Sequence, residues 1–163
     1  MEGQRCNESC RGDLTLDRGT PVMESRQSMI PDLQSSLLCD DVRQERNGKF
    51  ILIGLFDVLN FPAFPAVFPR LCVVNRWCCG EGVFQQRSRV VNPDGTTLVD
   101  GKNVRVRLAS NEATATSVEF FLNIRFAAEG VYWVEILLEE DLRLRYPLRA
   151  RRAKAVKPAT PES

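Results

Sequence analysis

The sequence predicts an all-β protein, an antiparallel β-sandwich of immunoglobulin-like outline with about eight strands. Three observations carry this. Short segments alternate apolar and polar residues with period two, turn signals recur roughly every ten residues, and no apolar stripe of helical period runs to useful length. A small barrel is the alternative architecture. No repeat of roughly 20 to 50 residues recurs, which argues against propellers and solenoids.

The first strand is expected at Leu33–Val42 and the second at Lys49–Leu59, joined by a polar reversal that carries Asn47-Gly48. An Asn-Gly pair supplies the two positive-φ residues of a tight hairpin, so the stretch Ser35–Asn60 is expected to open and nucleate the sandwich. The second strand is apolar on both phases, with Phe50, Leu52 and Phe56 against Ile51, Ile53 and Leu55. That is the pattern of a central strand covered on both sides, and Gly54 within it marks a bulge or a close backbone approach.

The next run, FPAFPAVFP at residues 61–69, holds three prolines that bar a regular helix or a central strand, while its phenylalanines supply apolar bulk. It reads as a loop with an apolar purpose. The simpler role is a plug for one end of the sandwich, one that also covers Ile51, Ile53 and Leu55. The functional role is a partner-binding loop presenting Phe61, Pro62, Phe64, Pro65 and Phe68.

Further strands are expected at Arg70–Cys78, Val83–Asn92, Thr96–Val99, Val104–Leu108, Ser117–Phe126, Val131–Glu139 and Leu142–Ala150. Pro93-Asp94-Gly95 is a turn whose proline presets φ. In the Ser117–Phe126 segment, Val118, Phe120, Leu122, Ile124 and Phe126 share one phase, opposite Glu119, Phe121, Asn123 and Arg125. Residues 1–31 and 151–163 lack the apolar content to offset the entropy of ordering and are expected to be disordered tails around a domain at 32–150. Met29, just ahead of the first strand, is a candidate translation start in place of Met1.

A length of 163 residues suits one core. The net charge of +1 gives no global attraction to nucleic acid or anionic membrane. No apolar run approaches the roughly 18 residues of a membrane span, and the N-terminus has no apolar core of a secretory signal, so the cytoplasm is the expected compartment. The absence of histidine removes the usual general base, zinc ligand and pH switch, which excludes Ser-His-Asp hydrolases, Cys-His proteases and His-ligated metalloenzymes in their standard forms.

The runs SLLCDDVRQERNGKFILIGLFDVL, FPRLCVV, VNPDGTTL and RFAAEGVYWVEILLEEDLRLRYPLR, in that order, resemble an uncharacterised family of bacterial domains of unknown function. The resemblance covers residues 33–150. It implies a compact β domain that begins just before the first strand, in keeping with a start at Met29, and it carries no activity and no functional residue.

Three clusters are candidates for chemistry. Of the cysteines, Cys6, Cys10, Cys78 and Cys79 have the number for a zinc site, but adjacent cysteines rarely share one tetrahedral ion. Cys39 and Cys72, in strand patterns, read as small buried apolar residues. Asp40, Asp41 and Asp57 lie at strand ends of one hairpin, where they would hold a hard cation or, with Arg43, serve a carboxylate-dependent enzyme; hydrogen bonding to turn amides and pairing with Arg43 is the plainer role. Arg87, Arg89, Arg105, Arg107, Arg143, Arg145, Arg149 and Arg151 fall on polar phases and would align as a face for an anionic ligand or nucleic acid. Glu119, Glu135, Glu139 and Glu140 are placed to neutralise them across strands, and no aromatic platform is interleaved. The expected function is therefore a non-enzymatic binding module with another protein as partner, through the Pro-Phe loop or an exposed strand edge, without cofactor, metal, nucleic acid or membrane.

Overall fold

The computed structural model describes residues 28–153, so most of the two expected tails, with Cys6 and Cys10, lie outside the described residues. The described chain forms ten strands: β1 (Asp32–Gln44), β2 (Phe50–Leu55), β3 (Val58–Phe61), β4 (Ala66–Cys78), β5 (Gly82–Val91), β6 (Thr97–Asp100), β7 (Val104–Leu108), β8 (Ala115–Phe126), β9 (Gly130–Leu138) and β10 (Asp141–Arg152). A four-stranded sheet of order β2-β1-β4-β8 packs on a six-stranded sheet of order β3-β10-β9-β5-β6, with β7 also pairing β5. This is the all-β sandwich that the alternation predicts, and it does not close into a barrel. Every strand pair is antiparallel except β3 with β10. Ahead of β1, Met29 bridges to Glu81.

The core lies between the sheets. Leu71, Val73, Trp77 and Phe121 of the four-stranded sheet meet Phe84, Val90, Val106, Val134, Ile136 and Leu138 of the other. Each such fully buried side chain contributes roughly 1.5–3 kcal/mol, so the inter-sheet contact is the main stabilising term.

The opening hairpin departs from expectation. Its second strand is not central and not continuous: β2 is the edge of the four-stranded sheet, and after Phe56-Asp57 the chain crosses to the other sheet as β3, alongside β10. Ile51, Ile53 and Leu55 are 44%, 38% and 60% exposed, so the Pro-Phe loop does not cover them. The cause is a corner at Asp40 and Gly54. Pairing between β1 and β4 stops at Cys39–Cys72, and Gly54 takes a left-handed φ of 67°. The free β1–β2 ribbon bends there, and Val42 and Leu52 come to rest on Cys39, Cys72, Val74 and Val118, on the outer face of the sheet. The opposite side of the ribbon is thereby left to solvent.

The hairpin turn also differs from the two-residue form. Gly48 alone adopts positive φ, at 87°. Gly48 N–H donates to Glu45 O and Glu45 N–H to Lys49 O, both at 2.9 Å, closing a three-residue loop in which only the last position is left-handed.

Two further departures involve β4 and β8. The end of the Pro-Phe run is strand, with Ala66, Val67 and Phe68 paired to Phe126, Arg125 and Ile124. Pro69 is tolerated because β1 pairs only as far as Cys72, leaving that side of β4 unpaired. In β8 the expected phase is inverted over its first half: Ser117, Glu119 and Phe121 are buried, while Phe120 and Leu122 are 47% and 65% exposed. Asn123, at φ 54°, then slips the alternation by one, and Ile124 and Phe126 point inward as expected. Asn is among the few residues that accept this conformation readily.

Replacement Gly54→Ala is expected to cost about 1–2 kcal/mol, because an L side chain is strained in the left-handed region and its Cβ would run into the Asp40 carboxylate. Chemical denaturation measures it; an unchanged midpoint would show that the corner is not held by this residue.

Candidate functional site

The expected partner-binding loop turns most of its rings inward. Phe61 is 6% exposed, and Phe64 and Phe68 pack on the core cluster while Pro62 and Pro65 face solvent. Edge-to-face contacts join Phe61 to Phe64 at 5.4 Å and Phe56 to Phe68 at 5.5 Å, and Phe126 joins Tyr132 at 4.8 Å. The rings thus form an aromatic plug at one end of the sandwich.

The hairpin carboxylates do not converge. Asp41 accepts from Arg70 at 2.9 Å, with Arg43 at 3.9 Å, and caps its own neighbour Val42 N–H at 2.9 Å. Asp40 stands exposed at the corner, and Asp57 lines a separate cleft with Ser36, Tyr146 and Pro147. Among the described residues no three Cys, Asp or Glu side chains are grouped as a metal site. Arg70 in turn stacks on the Phe120 ring, 4.8 Å from its centroid, linking the corner to β8.

Cys39 and Cys72 are opposed across β1 and β4 and fully buried beneath the folded hairpin, free thiols both. Burial, with the Cys72 thiol and nearby Asp40 and Asp41 adding to it, pushes the Cys39 thiol up to about 11. Burial raises Cys72 as well, against the opposing pull of Arg70. Cys79 is exposed.

On the outer face of the six-stranded sheet Arg87, Arg89 and Arg145 meet carboxylates, Glu135 and Glu140 as expected and also Asp100, whereas among the described residues Arg105, Arg107, Arg143, Arg149 and Arg151 form no ion pair. Arg89 lies 2.6 Å and Arg145 3.4 Å from Glu135, and Arg87 bonds Asp100 at 3.1 Å and also Glu140. The expectation of no aromatic among them is corrected: Trp133 is half-buried at the centre, with Arg145 over its ring at 4.6 Å. Alternation along β9 puts Trp133 and Glu135 on one face, and the register brings Arg145 opposite Glu135.

Sequence reasoning missed a polar network inside the sandwich. Glu119, expected on a solvated phase, is 7% exposed. It accepts from Ser88 N–H at 3.3 Å, from Ser88 Oγ and from Gln86 Nε2, while Gln86 Oε1 accepts from Ser117 Oγ and from Trp77 Nε1 at 3.2 Å. Asn75 Nδ2 donates to Ser88 Oγ at 3.0 Å. Strands β4, β5 and β8 are tied together by these bonds. The signal available was Phe121 on the supposedly polar phase, two residues before Asn123.

Two open clefts flank the four-stranded sheet. One, of about 500 Å³, follows the free edge of β8 between Val118–Leu122 and the Val99–Val104 segment. The other, of about 590 Å³, lies under the folded hairpin. Among the described residues no helix is long and apolar enough to cross a membrane.

Fold and surfaces together define a β-sandwich domain with paired sheet clefts and no convergent acid, base or metal constellation among its described residues. The chain belongs to the Family of unknown function (DUF6941), whose model matches residues 34–151. No curated protein matches the chain.

Two outcomes test this geometry. Thiol titration of folded protein is expected to modify Cys79 while Cys39 and Cys72 react only in denaturant; fast labelling of Cys39 in the native state would contradict its burial. Burial raises the Glu119 carboxyl above its ordinary value of 4.5, with Ser88 and Gln86 partly offsetting. The folded state therefore holds this proton to higher pH than the unfolded chain does. The contribution is fully present below the unfolded value and lost as pH rises through the folded one. The melting temperature of Glu119→Gln relative to the parent should accordingly climb from about pH 4 to pH 8; a constant offset would rule this out.

Proposed function

We propose that the domain is a non-enzymatic interaction module that takes an extended segment of another protein as an added strand along the free edge of β8. The observation that carries this reading is the edge itself. Strand β8 has twelve residues, pairs among the described residues only with β4, and exposes Phe120 and Leu122 beside an apolar cleft. A free edge offers unpaired N–H and C=O groups, which supply affinity to an added strand, while flanking pockets select its alternate side chains.

The Pro-Phe loop gives less support, since its rings are already engaged with one another and with the core. The arginine face is a weaker surface for an anion, because Glu135, Asp100 and Glu140 occupy Arg87, Arg89 and Arg145 at its centre, and the remaining arginines are divided between β7 and β10 on either side. An enzyme reading built on Asp41 competes with the two arginines that already hold it.

Panning a library of random twelve-residue peptides against the purified domain should enrich sequences with alternating apolar residues. Their affinity should fall about tenfold or more, about 1.4 kcal/mol, in Phe120→Lys and Leu122→Lys variants that melt like the parent. Lack of enrichment, or binding indifferent to both substitutions, would remove β8 as the contact surface.

A further inference from the structure

Laying the β1–β2 ribbon back over the outer face of the four-stranded sheet leaves a slot beneath the hairpin tip. Its floor is Leu37, Val74 and Arg76, with Ser35 and Thr116 beside them, and its roof is the turn from Asn47 to Lys49 together with Phe50 and Leu52. The volume of about 590 Å³ falls in the range of small-molecule sites, roughly 300–1,000 Å³. Its charge is one-sided. The two ionisable side chains lining it, Arg76 below and Lys49 above, are both cations. The guanidinium of Arg76 is fixed on the floor, donating from Nε to Gln34 Oε1 at 2.8 Å and from Nη2 to Thr114 Oγ1 at 3.3 Å, which leaves its remaining donors to a ligand. The carboxylate of the turn, Glu45, is engaged by Asn47 Nδ2 at 2.7 Å.

We infer that this slot binds a small amphipathic carboxylate, its apolar body lying between Leu37 and Val74 and the roof pair Phe50 and Leu52, its carboxylate gripped between Arg76 and Lys49. Charge complementarity and the apolar walls select the class together. A neutral apolar molecule forgoes the two cations, and a small polar anion forgoes the walls. Guanidinium and carboxylate match in bidentate geometry, and a charge-assisted hydrogen bond is about twice as strong as a neutral one. The site is separate from the β8 cleft and independent of the interaction reading.

The test is a titration of full-length, isotope-labelled protein with decanoate and with decanol, each below its aggregation threshold, followed by amide shifts. Decanoate should saturate with shifts at Leu37, Phe50 and Val74, and decanol should bind about tenfold more weakly or less. Lys49→Gln should weaken decanoate about tenfold and leave decanol unchanged. Arg76→Gln should do the same, and if it loosens the floor through Gln34 and Thr114, the exposed Lys49 variant still decides. Equal affinity for the two probes, shifts centred on Phe120 and Leu122, or no saturation would overturn the assignment. So would tighter binding of an acidic peptide, or self-association that buries the slot, since either gives it to a protein partner.

Discussion

A hydrogen-bonded ladder forces successive side chains to opposite faces of a sheet, and two surfaces of this sandwich follow from places where that rule is broken. At Gly54 a left-handed residue lets the β1–β2 ribbon leave the plane and fold over its own sheet. At Asn123 a second left-handed residue shifts β8 by one position, so that its first half buries Glu119 and Phe121 and turns Phe120 and Leu122 outward. Each slip is local, but each re-aims every side chain on one side of it. The slot under the hairpin and the apolar rim of β8 are the products.

The slip in β8 brings a carboxyl group into the interior, and such a group is costly unless its hydrogen bonds are made. Here they are made by Ser88 and Gln86 of β5, which in turn reach Ser117, Trp77 and Asn75. Apolar contact between sheets is non-directional and tolerates sliding, whereas this network fixes β5 against β4 and β8 at one register. It also shapes the neighbouring cleft. Gly101 donates to Ser88 O at 2.9 Å, and any side chain there would meet that carbonyl and the Glu119 carboxylate. The β6–β7 connection, one wall of the β8 cleft, is thus seated on the buried carboxyl group.

The strands were legible because period two survives wherever one face is buried, as in β9, where Tyr132, Val134, Ile136 and Leu138 all point into the core. Of the breaks, Gly54 was legible as a bulge or close approach but not as a corner, and Asn123 was not legible, since alternation describes a strand only between its irregular residues. Read as one strand, Ser117–Phe126 takes its phase from Ile124 and Phe126, and the inversion before Asn123 is lost. The run from Phe50 to Leu59 likewise reads as one doubly buried strand when it is two strands in two sheets. The apolar character of Ile51 and Ile53 gave no hint that the ribbon would fold with Val42 and Leu52 beneath it. Of the candidate site, the pairing of Glu135 with Arg89 and Arg145 and of Glu140 with Arg87 was legible from phase alone, whereas the burial of Glu119 was not. The clefts were not, because they depend on where a bent ribbon and a loop come to lie in three dimensions.

Sheets that do not close must end somewhere, and the manner of ending separates the edges of this domain. In the six-stranded sheet β3 and β6 have four residues each and β7 five, too short to template much of another strand. Strand β2 is bent out of the plane by the Gly54 corner, which removes it as a flat edge. Strand β8 has neither protection over its first half: it is long, it is regular from Ala115 to Leu122, and Phe120 carries Arg70 on its ring without being covered. The buried network stands beneath this same half. Under the proposed interaction, an edge open over rigid support would cost the domain itself little entropy, since ordering would fall almost entirely on the incoming segment. The hydrogen bonds that offset the cost of burying Glu119 are therefore also bonds that tie β8 to β5 beneath this edge.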